Sequence, residues 1–524
     1  MSEGGQARRL ARSTATFTLA TGLSRALGLV REIVAAYFFG VTGKINAFTV
    51  ASQVPSLVRA FIGDAALSGA FVPVFSELLA KEEKARAWRV ASTIFWLVLI
   101  GVSVLTAVLI LIAPLLILPF GDPGGDPDLA VELTRIMLPI VGLVTLSGIV
   151  VGILNAYDQF TIPALAPVAW NLVIIGGLVA FVPLVEGESA ELVVYAVATL
   201  LAALVQLLLP VPWLRGLDGR IRAVIDWRDP AVKRFFVLML PVTLTLGLIN
   251  INIFVDMVFA SRLVDPELAP AAIEKAFRVY MLPQGMFSVA VVTVLFPTLS
   301  RFAAVGNLPS YRATLDAGFR QIAFLLVPCA VVGAVLAQPI VRLLYERGAF
   351  GPEQTEVVAA SLAAFAAGLT FNGTMLMLNR AFFSLQSPWI PTWIALANLG
   401  FQVVLNVALY RVGVWGIPLA TSLVNLAGTV GLVLVIRRRV GRIEGGRTLD
   451  TYARSLAAAV LAAGIAFAVW YGLDEALGHS GLAQVVSVGS ALAASAAVYL
   501  AAARILGIRE LDALLSLVRR SRTP

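Results

Sequence analysis

Apolar stretches long enough to cross a bilayer alternate with short polar breaks along the whole chain. A hydrocarbon core of ~30 Å takes about 20 helical residues. On that measure the pattern predicts helices at 15–41, 46–79, 90–119, 130–157, 163–184, 190–212, 232–262, 271–302, 318–346, 355–384, 388–410, 414–436, 450–472 and 482–505. The expected fold class is an all-α polytopic membrane protein of about fourteen transmembrane helices, with no stretch left over for a large soluble domain.

The polar breaks carry an orientation signal. KEEKARAWR, RGLDGRIRAVIDWRDPAVKR, RRRVGRIEGGR and the tail VRRSR are basic, whereas GDPGGDPDLAVE, VEGESAE and DEALGHSG contain no Lys or Arg. Basic loops stay in the cytoplasm, so both termini are expected there. The N-terminal MSEGGQARRLARS leads into a long apolar helix without a small-residue cleavage site, and no signal peptide is read. Composition agrees: 59% of the 524 residues are hydrophobic and 13% charged, against ~45–50% and about 25% in soluble domains. The net charge of +8 sits in loops beside the spans, which points to membrane orientation rather than nucleic acid. A single cysteine, Cys329, and a single histidine, His479, allow neither an intrachain disulfide nor a Cys/His metal site.

An internal repeat organises the helices. FVPVFSEL at 71–78 resembles LFPTLSRF at 295–302, placing Pro73 and Pro297 224 residues apart, and Asn155 and Asn379 stand at the same offset in GILNAYDQF and LMLNRAFFS. Pro114 and Pro339 are separated by 225. The offset spans six helices, an even number, so both copies share one topology. The expected organisation is an N-terminal lobe at 1–212, a basic linker at 213–231, a C-terminal lobe at 232–436, and two further helices with a basic tail at 437–524. Two parallel lobes of this kind usually enclose a central cavity and open it alternately to the two sides. Transport is the leading class, with a merely enlarged bundle as the alternative.

The first helices hold charge that lipid disfavours. If helix 1 enters the hydrocarbon near Thr14, Arg25 lies ~16 Å deep and Arg31 ~25 Å deep, and Arg59 is ~20 Å from the outer end of helix 2. An intramembrane arginine costs from about 2.5 to more than 10 kcal/mol, so it faces protein or water and pairs with something. Internal partners on offer are Glu32, Asp64 and Asp256, but Arg25, Arg31 and Arg59 outnumber the first two, and Arg278 adds a further charge. A positive excess implies an anionic ligand, and planar guanidinium forks favour a phosphate or diphosphate. Helix 8 is the repeat equivalent of helix 2, which would let Arg59 and Arg278 face each other. Arg25 and Arg31 differ by about 120° around a straight helix, so their convergence would need bends or unwinding near Gly28 and Pro55.

SRALGLVREIVAAYFFG, NAFTVASQVPSLVRAFIGDAALSGAFVPVFSE, LPQGMFSVAVVTVLFPTLSRF and YERGAF resemble the MurJ (MviN) family of bacterial lipid II flippases, in order from helix 1 to helix 12. The resemblance implies a member of the multidrug/oligosaccharidyl-lipid/polysaccharide exporter superfamily, in the bacterial cytoplasmic membrane. It would move undecaprenyl-diphosphate-linked disaccharide pentapeptide from the inner to the outer leaflet. By motif, the family's arginines fall on Arg25, Arg31, Arg59 and Arg278, with Ser24 and Asp64 beside them, and helices 13 and 14 would form a groove for the polyprenyl tail. Asn46 stands where the family often has aspartate, Asp64 replaces a glutamate, and Phe277 stands where an acid often precedes the helix 8 arginine. No cofactor is required, but the resemblance extends to a sodium ion in the second lobe, for which Asp256, Gln402, Asn406 and Ser422 offer oxygens; the alternative has Asp256 paired with an arginine or lining the cavity. Implied partners are lipid II, membrane lipids and cell-wall synthesis proteins.

Rival readings are a flippase for another polyprenyl-diphosphate oligosaccharide, a multidrug antiporter of the superfamily, and a membrane-embedded enzyme acting on the same lipid. An arginine cluster would repel cationic drugs. Catalysis would want paired acids, a histidine or a metal near the phosphate, and the one histidine falls in a loop.

Overall fold

The computed structural model describes residues 3–62, 64–441, 443 and 445–511, with side chains described except at 3–19, 64–69, 240–242 and 244–249. Among the described residues there is no strand. Two compact units divide the chain between Ala271 and Ala272. The first holds α1 (Glu3–Phe39), α2 (Ile45–Ile62), α3 (Asp64–Ala80), α4 (Lys84–Leu111), α5 (Ala113–Ile117), α6 (Pro127–Met137), α7 (Pro139–Ala156), α8 (Thr161–Phe181), α9 (Glu188–Leu208) and α10 (Pro230–Phe259). The second begins within α11 (Ala269–Pro283) and continues through α12 (Val289–Ala304), α13 (Leu308–Val335), α14 (Ala337–Tyr345), α15 (Pro352–Ser384), α16 (Trp389–Leu409), α17 (Gly416–Val440), α18 (Gly445–Leu477) and α19 (Gly481–Ile505).

Helices that continue one another across a short break (α4 with α5, α6 with α7, α11 with α12, α13 with α14), together with α2 and α3 on either side of residue 63, which lies outside the described residues, reduce these to the fourteen that hydropathy predicts. Among the described residues, eleven are long and apolar enough to span a membrane by length and composition. Two helices start well before their expected bounds, the first at Glu3 rather than 15 and the ninth at Leu308 rather than 318. Asn307 caps its first turn by accepting from the Ser310 N–H, and Tyr311 and Leu315 are buried, so a polar entrance that hydropathy discards is stabilised by packing.

The breaks repeat as the sequence motifs do. α4 is capped by Ile112 and α13 by Leu336, 224 residues later, with nearly the same backbone angles (φ −93°, ψ 10° and φ −96°, ψ 19°). A proline follows each break, Pro114 and Pro339, and a proline cannot continue the hydrogen-bond ladder of the helix before it. One departure has a simple cause: α6 and α7 split before Pro139, whereas the matching position is Ala363 and α15 runs unbroken. A π turn at Gln284–Ser288 lies between α11 and α12.

In the first unit α1 lies on α8, α2 on α6, and α3 on α7, while α10 lies against α2 and α3. That last contact is why the units divide at 271/272, beyond the 213–231 linker where the repeat changes copy. The linker itself is strapped along α4: Trp96 Nε1 donates to the Arg222 carbonyl (2.9 Å), and the Arg222 and Asp226 amides donate to Ser92 Oγ and Thr93 Oγ1 (3.0 Å each). In the second unit α18 packs on α13 and α19. Lipid removes the hydrophobic drive between helices, so close approach of small residues must supply the attraction. α19 buries Ala483, Ser487, Ala491, Ser495, Tyr499 and Ala503, one every four residues, and α18 buries Ser455, Ala459, Ala462 and Ala466.

Candidate functional site: arginines of the membrane helices

α1 is one uninterrupted helix, so Gly28 does not unwind it. Its place is a packing contact instead: a Cβ there would lie 3.9 Å from the Asn171 side chain on α8. Pro55 likewise sits inside a continuous α2. The local unwinding expected to help Arg25 and Arg31 converge is absent, and the two take different environments. Arg25 is exposed, whereas Arg31 is half-buried and forms an ion pair with Glu32 (2.6 Å). With Glu32 at 7% side-chain exposure, that pair is largely removed from solvent. The internal-partner alternative thus holds for Arg31.

Arg59 is exposed in the last turn of α2. Asp64 opens α3, and its side chain lies outside the described residues. Ser24 contributes its carbonyl, which accepts from Asn171 Nδ2 (3.3 Å) while the same amide holds the Pro167 carbonyl (2.9 Å). Asn171 was not singled out from the sequence, although an asparagine inside the apolar run APVAWNLVII is itself a signal. In the second unit Arg278 is exposed on α11 and pairs with Glu274 one turn earlier (2.8 Å). Counting charge around Arg278 by looking only at Phe277 misses this acid; the i,i+4 spacing in EKAFR would have found it.

Asn46, the departure from the family pattern, is fully buried. Its Nδ2 donates to the carbonyls of Val41 (3.0 Å), Gly43 (3.1 Å) and Glu267, and its Oδ1 accepts from the Ala271 N–H (2.8 Å). A carboxylate could not donate, so the amide suits a position ringed by carbonyls. Beside it Lys44 Nζ bridges Asp126 (2.9 Å) and Ser189 (2.8 Å), and its backbone N–H donates to Glu188 (2.9 Å). Asp126 is held below its ordinary range by the Leu129 N–H that it caps and then by Lys44. Gly124 closes this knot at φ +67°, where a Cβ would meet the Gly43 carbonyl oxygen at 2.9 Å. Four loops of the first unit are thereby tied at one end.

Of the residues expected to offer oxygens to sodium, Asp256 is half-buried in the first unit, and the other three are buried in the second. Gln402 donates to Asn406 Oδ1 (3.2 Å) and Thr421 Oγ1 (3.3 Å), and Ser422 Oγ donates to the Ala364 carbonyl (2.6 Å). These bonds account for their burial. Among the described residues no group of three His, Cys, Asp or Glu side chains stands ready for a metal.

Two apolar cavities flank the last two helices. One of about 600 Å³ lies among α13, α15 and α18, where Val331, Ala367, Phe371 and Leu456 line it. The other, about 530 Å³, lies among α11, α13, α15 and α19, with Tyr280, Phe324 and Leu492 in its wall.

Duplicated bundles of membrane-length helices, arginines within the first spans and apolar cavities beside the terminal pair define a membrane transporter rather than an enzyme. The profile of the family described as "Lipid II flippase MurJ" matches residues 35–500. A probable lipid II flippase MurJ of Rhizobium meliloti is 30% identical over 98% of this chain and 96% of its own length. A second, of Synechocystis, is 30% identical over 85% of each. Among solved structures, a lipid II flippase MurJ in an inward closed conformation shares the fold at a TM-score of 0.74 and 24% identity, covering 93% of this chain and 98% of that one. An inward-facing multidrug resistance MATE transporter of the MOP superfamily aligns at 0.66 and 18%, over 80% and 96%. The chain belongs to the MurJ lipid II flippase family, a family of multi-pass proteins of the bacterial inner membrane.

Proposed function

We propose that this protein carries lipid II, the polyprenyl-diphosphate-linked peptidoglycan precursor, from the inner to the outer leaflet by alternating access, with both termini in the cytoplasm. The observation that carries the reading is the exposure of Arg25 and Arg59 on α1 and α2 in a chain of this family. Each guanidinium offers a planar fork to a diphosphate oxygen pair. Arg31, already paired with Glu32, contributes less to the ligand. The apolar cavities beside α18 and α19 suit the polyprenyl chain. An anionic headgroup moving outward across 100 mV, inside negative, gains about 2.3 kcal/mol per charge.

The test is outer-leaflet exposure of lipid II in cells depleted of their own flippase, with variants at matched membrane abundance. Wild type restores exposure, Arg25→Ala and Arg59→Ala fail, and Arg31→Ala retains more activity than either. Wild-type protein that is folded and abundant but moves no lipid II would reject the substrate, leaving other polyprenyl-diphosphate glycans as the class to try.

A further inference from the structure

The groove between α4 and α10 has a composition that the transport reading does not use. Leu97 of α4 and Val232, Phe236, Val237 and Met239 of α10 form its apolar wall. On α10 these positions recur at helical spacing, so one stripe of the helix is turned to the groove. Its mouth is cationic and aromatic: Arg228, Lys233 and Trp227 line it, with the Arg228 guanidinium 5.3 Å from the centre of the Trp227 ring. Trp227 is 65% exposed. An indole with one apolar face and a polar edge belongs where hydrocarbon meets headgroups.

The neighbouring charges decide what the mouth attracts. Asp229 is engaged through both oxygens by Arg86 (3.0 and 3.1 Å), and that pairing holds its carboxyl below the ordinary range. Glu77 is shared by Lys81 and Arg234 (2.7 Å each), and Asp218 pairs with Lys84 (2.7 Å). Among the described residues no carboxylate forms an ion pair with Arg228 or Lys233. Two uncompensated cations at the mouth of an acyl-lined groove are complementary to a molecule with a negative head and a hydrocarbon body.

We propose that the α4–α10 groove is a binding site for an anionic phospholipid, whose phosphate meets Arg228 and Lys233 and whose acyl chain lies along Val232, Phe236 and Val237 beside α4. This site is separate from the arginines of α1 and α2, and it stands whether or not lipid II is the cargo. Because α10 is also the helix packed on α2 and α3, the occupant would brace that helix from its outer side.

The experiment is native mass spectrometry of the full-length, detergent-purified protein titrated with phosphatidylglycerol or phosphatidylcholine of identical acyl chains. Wild type binds the first phosphatidylglycerol more tightly than phosphatidylcholine. The double variant Arg228→Gln/Lys233→Gln loses that preference by about 30-fold, the sum expected of two basic residues at a lipid surface. Arg438→Gln/Arg439→Gln, which removes two exposed cations at the end of α17, leaves the preference unchanged. Both variants change exposed residues, and their folding is verified by their melting temperatures. Quenching by brominated phosphatidylglycerol, lower in Trp227→Phe than in wild type, places the lipid at the mouth. Equal binding of the two headgroups, equal loss in the two double variants, or displacement of phosphatidylglycerol by a polyprenyl diphosphate at equimolar concentration overturns the proposal.

Discussion

Replacing Asn46 by Ala should be among the most damaging single substitutions in the first unit. The side chain has no exposure, and its amide serves the carbonyls of Val41, Gly43 and Glu267 and the N–H of Ala271. The NH2 group supplies two hydrogens and the oxygen receives one, so truncation removes three hydrogen bonds in a place water does not reach. A buried polar group left without a partner costs about 1–3 kcal/mol. Allowing for non-additivity and some relaxation, the loss should be about 3–5 kcal/mol. The assay is thermal unfolding of detergent-solubilised protein followed by tryptophan fluorescence, with Lys44→Ala as the reference, since an exposed ion pair is worth ~0–1 kcal/mol. Asn46→Asp keeps the bond from Ala271 but can donate only when protonated, so its defect should shrink as pH falls from 8 to 5. A melting temperature for Asn46→Ala indistinguishable from that of Lys44→Ala, or an Asn46→Asp defect that ignores pH, would refute the reasoning.

Three other substitutions or conditions separate local roles. Glu32→Gln leaves the half-buried Arg31 without its carboxylate and should cost about 3 kcal/mol in the same melting assay. Glu274→Gln breaks a half-exposed i,i+4 pair, so stability should change by less than ~0.5 kcal/mol, while apparent affinity for lipid diphosphate should rise if Arg278 contacts the cargo and stay constant if it does not. Asp126 and Asp229 both have carboxyls held below the ordinary carboxylate value by hydrogen bonds, chiefly from the Leu129 N–H and from Arg86 respectively. Each therefore contributes stability that is complete well above that value and lost as pH falls through the lowered one, and Asp126→Asn/Asp229→Asn should flatten the melting curve between pH 4 and 2.5 relative to wild type.

The sequence by itself determined the number of spans, the duplication and the candidate arginines, because each rests on a local quantity. Twenty apolar residues must become helix in lipid, whatever surrounds them, since no water is present to satisfy a free backbone. Pro114 and Pro339 end helices for steric reasons that travel with the residue, which is why the breaks at Ile112 and Leu336 recur at the sequence offset. Charge inside an apolar run is costly wherever it falls, so Arg25, Arg31 and Arg59 stood out.

What tertiary structure decided was how those charges were spent. Pairing depends on distances of a few ångströms between atoms whose positions are set by packing. Only the fold gives Arg31 to Glu32 while leaving Arg25 exposed. It turns Gly28 from a presumed hinge into a contact with Asn171, and makes Asn46 the meeting point of loops 225 residues apart in sequence. α10 shows the same limit from the other side: its repeat position assigns it to the second copy, yet its neighbours are α2 and α3. Hydropathy identifies which residues must leave water, but many packings satisfy that demand equally. The choice among them is made by shape and by the hydrogen bonds that buried polar groups cannot forgo.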